Sequence, residues 1–360
     1  MIAYMNEILN ANKIFIYGAG LMGKTLMKCL TSSTYSKEID AFIVNDMHNN
    51  PHNIESIPVI EIENAKKLKD ELILVALHEK NIYPAITDLK QRGFSKIIPV
   101  SFDSDLWTAL RSNWMQDLNV GYSDDIYEIG RWNNDVTIFV VHSSADRVLE
   151  EKHVNKSFEK SIQVGAALTS KKMCEIRDNI GINISTKNRE YCELTAIYWI
   201  WKNYYSKYVG ISHYRRVFDL SEYQIGELVG KDVDVVVTSP MICLKTIKEQ
   251  YAIDHYAEDW NIAIDAINEI FPEYNESADK IQNGHFYYAY NMFIAKKEIF
   301  NDYCDWLFKI LEYCENKITR REDNYQKRYA GFLAERLLTI YLDYHKEFKL
   351  VIAKKHFIEK

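Results

Sequence analysis

The sequence predicts an α/β protein built as two successive sheet domains. Three observations carry that reading. Within residues 13–30 an apolar strand runs into a glycine-rich turn and then a helix. Strands and helices go on alternating, with short connections, as far as Val100. After a stretch with no clean period, a second series of strands opens at Val136. At 360 residues the chain is also too long for one ordinary domain. The expected boundaries are a first domain over 1–102, a helical linker and loop over 103–134, and a second domain over 135–360.

Composition narrows the function classes. A net charge of −7 argues against wholesale nucleic-acid binding. No apolar run approaches a membrane span, and the opening MIAYMNEILN lacks a signal-peptide pattern, so a cytoplasmic protein without a transmembrane segment is expected. Cysteines 29, 174, 192, 243, 304 and 314 form no C-x-x-C pair. That argues against a structural zinc site or a disulfide framework and for a reducing compartment. The unusual feature is aromatic content, with 25 Tyr, 7 Trp and 15 Phe. Aromatic platforms suit sugar and nucleotide faces, although most such rings pack cores.

In the first domain, residues 13–17 read as an apolar strand leading into Gly18-Ala-Gly20-Leu-Met-Gly23, with a helix over 25–30. This is G-x-G-x-x-G in a strand–turn–helix setting, hence a Rossmann-like parallel sheet. Strands follow at 39–44, 72–77 and 96–100, with a helix over 85–92 closed by Gly93. The turn has two readings. Amides at Gly18, Gly20 and Gly23 could hold a nucleotide phosphate, with Asp46 on a ribose. Alternatively the domain is a scaffold that binds nothing. Asn45 competes for the ribose position, and a domain of roughly 100 residues lacks the second mononucleotide half. Tight nicotinamide binding is therefore not expected. The stretch resembles the N-terminal Rossmann-like domain of bacterial sugar acyltransferases and related sugar-nucleotide proteins.

The second domain opens with a strand over 136–141 that delivers His142 to its carboxyl end, where open α/β sheets bind ligands. The loop 177–185 carries Asp178, Asn179 and Asn183, which suit ligand contacts and ordinary turn chemistry alike. Lys187 and Asn188 precede a helix over 189–203, with Asn188 as its N-cap and Leu194, Ile197, Tyr198 and Trp201 facing the core. Glu193 lies near the helix start, placed either to reach a ligand or to favour the dipole. A buried strand over 208–211 then brings His213, Arg215 and Arg216 to a sheet edge. Forked, permanently charged guanidiniums suit phosphate oxygens; the plainer reading is a solvated pair closing a strand. Residues 233–238 form another strand, and 250–260 pack His255, Tyr256 and Asp259 among aromatics. Residues 287–295 read as a strand with Asn291 inside it, whose side chain needs hydrogen bonds. An amphipathic helix over 298–313 and a last helix carrying Glu335 and Arg336 complete the chain.

Taken in order, IQVGAALT, DN-x-G-x-NIS-x-KN-x-x-YCELTA-x-YWIWKN, YVG-x-x-HYRR, HY-x-x-D, YNMFI and YQ-x-R-x-x-G-F-x-x-ERL resemble a bacterial family of unknown-function domains identified with capsular and exopolysaccharide glycosyltransferases. The resemblance covers about residues 135–342. It implies a GT-A-like fold and a nucleotide-sugar donor, expected to be UDP-linked. Association of some members with galactofuranose transfer implies galactofuranose or galactose as the moved sugar. It also implies a glycan or lipid-linked glycan acceptor, with peripheral membrane association and homo-oligomers compatible. Ser143-Ser144 after His142 departs from the family pattern, which carries a lysine there.

On this resemblance the donor site comprises His142, Asp178, Asn179, Asn183, Lys187, Glu193, His213, Arg215 and Arg216, and Tyr256 and Asn291 meet the acceptor. No D-x-D follows the central strand, so two guanidiniums would neutralise the leaving diphosphate, and neither metal nor cofactor is expected. An inverting transfer needs a base, for which Asp254, His255, Asp259 and Glu335 are the candidates, with His255, Asp259 and Glu335 on positions that match the family. If their stretch is helical, His255 and Asp259 share a face and would titrate near neutrality as base plus orienter; the plainer reading is that His255 and Tyr256 only line the acceptor groove. Glu335 reads equally as one half of an internal ion pair. A retaining mechanism would need no such base. Two other classes stand beside this one: a nucleotide-dependent sugar oxidoreductase or epimerase, which would need a catalytic Tyr-x-x-x-Lys-type pair absent from the first domain, and a non-catalytic sugar-nucleotide scaffold.

Overall fold

The computed structural model describes residues 2–102, 104–116, 121–122, 135–149, 153–319 and 322–358. The chain divides into two compact units, Met1–Val120 and Gly121–Lys360.

The first unit contains α1 (Ile2–Asn10), β1 (Ile14–Tyr17), α2 (Leu21–Leu30), β2 (Ala41–Val44), β3 (Asn53–Ile54), β4 (Ile57–Glu61), β5 (Leu72–Ala76), α3 (Glu79–Gln91), β6 (Lys96–Val100) and α4 (Asp105–Gln116). The sheet order is β3-β4-β2-β1-β5-β6, parallel except for the β3–β4 hairpin. Strands β1, β2 and β5 are buried along their whole length, as expected where helices cover both faces. Phe15, Ile43, Ile73, Val75 and Leu89 share one core cluster. Helix α4 lies where the sequence reading placed a linker, yet it is part of this unit. Its Trp107 and Leu110 are fully buried, and the Leu110 carbonyl accepts from Tyr35 Oη at 2.7 Å.

The second unit contains β7 (Gly121–Tyr122), β8 (Val136–Ser143), β9 (Glu159–Val164), β10 (Ile176–Arg177), α5 (Asn188–Tyr191), α6 (Leu194–Asn203), β11 (Tyr208–His213), β12 (Arg216–Phe218), α7 (Glu222–Gly230), β13 (Val235–Thr238), β14 (Met241–Ile242), α8 (Ile247–Asp254), α9 (Ala257–Ile270), α10 (Asn275–Gln282), β15 (Phe286–Tyr287), β16 (Phe293–Lys296), α11 (Lys297–Lys317), α12 (Tyr329–Tyr344), β17 (Leu350–Ala353) and β18 (Lys355–Phe357). Its main sheet runs β10-β9-β8-β11-β16-β13-β17-β7, with β12 and β18 paired beside β11. Strand β16 is antiparallel to both neighbours, while β9, β8 and β11 are mutually parallel. This is an α/β, GT-A-like arrangement. Gly210 sits where β11 crowds β16: a Cβ there would lie 2.7 Å from Ile294 Cγ1.

Three elements differ from the sequence reading, each at a backbone break. The helix expected over 189–203 is two helices, because Cys192 adopts φ +50°. Asn188 is not the N-cap but the first residue of α5, and its Nδ2 bridges the break to Cys192 O at 2.7 Å. The strand expected over 287–295 is interrupted, with Tyr290 at φ +74° and Asn291 at φ +51° between β15 and β16. The stretch 250–260 is split at His255, whose φ of −139° is extended and separates α8 from α9.

Candidate functional site

Because β16 is antiparallel to β11, the residues entering β16 arrive at the carboxyl end of β11. The Tyr290–Asn291 turn sits there and is tied down on every side. Its Tyr290 carbonyl accepts from His213 Nε2 at 2.6 Å, and the Tyr290 N–H donates to Glu335 Oε1 at 2.9 Å. The Arg216 guanidinium lies over the Tyr290 ring, 4.5 Å from its centroid. Asn291 Nδ2 donates to Glu193 Oε1 at 2.6 Å and to Gly331 O at 3.2 Å. Left-handed backbone at a non-glycine residue is unfavourable by about 1–3 kcal/mol. Two such residues in a row persist here because four groups from β11, α12 and the break before α6 over-determine them.

The acids and cations around this turn set its electrostatics. Burial pushes the Glu335 carboxyl above the usual carboxylate range; the Arg336 guanidinium opposes this and the Glu193 charge reinforces it. Arg336 Nη1 meets Glu335 Oε2 at 3.0 Å, so the internal ion pair is present. Arg336 is itself 2% exposed, donates to Phe332 O, Gln250 Oε1 and Tyr287 Oη, and stacks on the Tyr287 ring at 4.2 Å. Arg215 and Arg216 converge on one ring, their guanidiniums 5.0 and 5.3 Å from the centroid of Phe357 on β18. Among the described residues neither is salt-bridged, and Arg215 Nε is buried without a hydrogen-bond partner. The site thus combines a half-buried acid of raised pKa with two cations that form no salt bridge among the described residues, of which Arg216 is close enough for its charge to act on Glu335.

Residues 138–347, which contain this whole turn and its acid and arginine partners, match the family described as Domain of unknown function (DUF4422). The chain belongs to the DUF4422 family. It is similar to the apo structure of the bifunctional glycosyltransferase WbbM, at TM-score 0.56 and 28% identity, over 63% of this chain and 46% of that one. The chain therefore spans less than half the length of that protein. A Rex-family repressor, RSP, is matched at TM-score 0.23 and 12% identity over 33% of this chain and 66% of that one. No curated protein matches.

The remaining expected residues of this DUF4422 chain fall into three groups. His142 stands at the carboxyl end of β8, partly exposed, with Nδ1 3.7 Å from Asp146 Oδ2. Asn179 is half-buried, its Oδ1 without a hydrogen-bond partner. Tyr256 is 45% exposed at the start of α9.

A second group is occupied inside the protein. Asp178, expected at the donor, is fully buried, and its two oxygens accept from Gly165 N, Ala166 N, Ser185 Oγ and Thr195 Oγ1. It positions the loop instead. Asn183 is the turn residue of the plainer reading, with Nδ2 on Gly181 O and Oδ1 on Ser185 N. Lys187 pairs with Glu315 at 2.7 Å. Asn291, expected at the acceptor, is 1% exposed and positions Glu193.

The third group corrects the base. His255 and Asp259 do not share a helical face, since the chain is extended between α8 and α9. Asp259 is buried on α9, which packs on α11 and α12, while His255 stacks on Phe332. Burial, helped by the Arg336 charge, lowers the His255 pKa to about 4, well below the expected near-neutral titration. In the first unit, Asp46 Oδ1 accepts from His48 N at 2.8 Å, within its own turn.

Sequence reasoning missed Tyr290 and Arg336 as organisers. Tyr290 was hidden in the apolar run YYAYNMFIA, and nothing in that run announces a left-handed pair except Asn291 itself. Arg336 was read only as a partner for Glu335. Among the described residues no group of three or more His, Cys, Asp or Glu is placed to hold a metal ion, and no helix is long and apolar enough to cross a membrane.

Proposed function

We propose that the chain is a glycosyltransferase that moves a sugar, galactofuranose or galactose, from a UDP-linked donor to a glycan acceptor in surface polysaccharide synthesis. The observation that carries this reading is the convergence, at the carboxyl end of β11, of Arg215 and Arg216, neither salt-bridged among the described residues, with Glu335 held on the Tyr290 N–H. Similarity to WbbM at 28% identity supports the reaction class. In the reaction Arg215 and Arg216 take the donor diphosphate. The acceptor hydroxyl oxygen attacks the anomeric carbon while Glu335 accepts its proton, and the bond from that carbon to the diphosphate oxygen breaks. UDP leaves with the bonding electron pair, and the guanidiniums stabilise its developing charge without a metal. The outcome is inversion. Glu335 suits the base role because burial raises its carboxyl above the usual carboxylate range, and a more basic carboxylate is a stronger proton acceptor.

A panel of sugar nucleotides tested by thermal shift, with EDTA or manganese present, examines this directly. Stabilisation by one UDP-sugar that survives EDTA is the expected result. No stabilisation by any sugar nucleotide would remove the function, and strict manganese dependence would remove the metal-free mechanism.

A further inference from the structure

An aromatic stack outside the donor end calls for its own account. The His255 ring lies on Phe332 with centroids 4.0 Å apart and planes 17° apart. Tyr325 continues the stack at 5.0 Å from Phe332 and 5.9 Å from His255, yet its side chain is 54% exposed. The rim is polar. Gln326 faces His255 Nδ1 at 3.3 Å, and the Arg328 guanidinium lies 5.4 Å from the Phe332 centroid and 6.0 Å from that of Tyr325. Arg328 is anchored through Nε to Cys192 Sγ at 3.1 Å, next to Glu193.

The stack is continuous with the reaction centre. Phe332 and Glu335 are three residues apart on α12, hence on one face and separated by about 4.5 Å along the axis. Arg336 Nη1 also donates to Phe332 O. A rigid ring platform with hydrogen-bonding groups at its edge matches a ligand whose faces are apolar C–H surfaces and whose rim is hydroxyl. That description is a sugar ring.

We propose that Tyr325, supported by Phe332 and His255, is the acceptor subsite, on which a neutral sugar ring of the acceptor glycan stacks with a hydroxyl directed at Glu335. Sugar stacking follows from the platform alone; the acceptor role rests on the glycosyltransferase reading above. His255 is then a stacking ring and not a base.

Methyl glycosides of galactose, glucose and rhamnose serve as probes, titrated against the full chain by saturation-transfer NMR, with UDP binding followed in parallel. At least one glycoside should receive saturation through its ring C–H protons. Tyr325→Ala should weaken it by roughly 2- to 12-fold, the value of one aromatic contact, while Tyr325→Phe restores it. His255→Phe should bind like the parent and His255→Ala more weakly. UDP affinity should be the same in all of these. Overturning results are equal glycoside binding by Tyr325→Ala and the parent, no saturation of any glycoside, or loss of UDP affinity in Tyr325→Ala, which would make the platform a nucleobase surface. Glycoside stacking without any UDP binding would leave the sugar platform standing and remove the transferase reading and the acceptor role with it.

Discussion

Each unit carries an irregular turn at the end of a central strand, and the two turns are built differently. After β1 the positive φ falls on Gly18, at +112°, where a side chain is absent and strain is small. The polar groups nearby satisfy one another: Tyr17 Oη donates to Asn45 Oδ1, and Asp46 closes on its own backbone. At the carboxyl end of β11 the positive φ values fall on a tyrosine and an asparagine, and the surrounding polar groups come from separate elements and include cations that form no salt bridge among the described residues. The first turn is explained by its own closure. The second is held in an unfavourable conformation by His213, Glu335, Glu193 and Gly331, which come from β11, α12 and the break before α6. Strain maintained in that way points to chemistry in the second unit.

The strongest way to break this contrast is to remove the acid. Glu335→Gln keeps the shape and most of the hydrogen bonding, and turnover should fall by at least about 100-fold, the scale of a lost general base. Near-normal turnover with unchanged thermal unfolding would end the assignment. The pH profile gives a second check on the same residue. Because burial raises the Glu335 pKa, the base is lost by protonation as pH falls through a value above the ordinary carboxylate range. The acidic limb of kcat should therefore lie higher than a free glutamate would place it.

His255 separates stability from catalysis. Its folded-state pKa of about 4 lies below the 6.5 of an unperturbed histidine. A depressed pKa means the native state disfavours the proton. The associated stability is complete above about pH 6.5 and is lost as pH falls toward 4. The full shift corresponds to about 3–4 kcal/mol, and solvent screening of the partly exposed ring holds the effect below that. Urea midpoints at several pH values should fall over this window in the parent and much less in His255→Phe. Identical slopes would show that the imidazole is not buried in the stack.

Arg215 and Arg216 come next. Replacing either with alanine should weaken UDP-sugar binding by roughly 10- to 150-fold, the value of about 1.5–3 kcal/mol for a charged hydrogen bond. Unchanged affinity in both would dissolve the clamp and with it half of the contrast.

The contrast also explains what could be read from the sequence. Strand–turn–helix order and the apolar runs placed both sheets, because burial on two faces leaves a clear signal in residues such as 72–76. His213, Arg215, Arg216 and Glu335 stood out because charged residues beside an apolar strand or in a helical stripe are few. What was not legible depends on tertiary closure. Asp178 and Asn183 have the composition of ligand contacts, and only the fold shows their oxygens already engaged. The break at Cys192, the turn at Tyr290 and the extended His255 are imposed from outside the segment, so local propensity argues for continuous elements there. Helix α4 reads in the sequence as a helical linker because its burial depends on Leu110 meeting Tyr35, 75 positions away.

The smallest expected effect tests the first unit. Its glycines divide by steric demand. A Cβ at Gly23 would fall 1.9 Å from Gly18 O, so Gly23→Ala must displace backbone and should destabilise the unit by about 1–3 kcal/mol. A Cβ at Gly20 would meet nothing within 4 Å, and Gly20 is the N-cap of α2 in extended conformation, with φ −80° and ψ −166°. Serine is a better N-cap than glycine by a few tenths of a kcal/mol. If the turn is a scaffold, Gly20→Ser should leave thermal unfolding unchanged or slightly raised and leave sugar transfer untouched. If the turn cradles a phosphate, Gly20 is the position where a ligand approaches the backbone, and a serine side chain would obstruct it. Calorimetric titration with NAD and with UDP-sugars distinguishes the two. The parent should bind no NAD at micromolar strength. NAD binding that Gly20→Ser abolishes would place a ligand on the first turn and erase the difference between the two units.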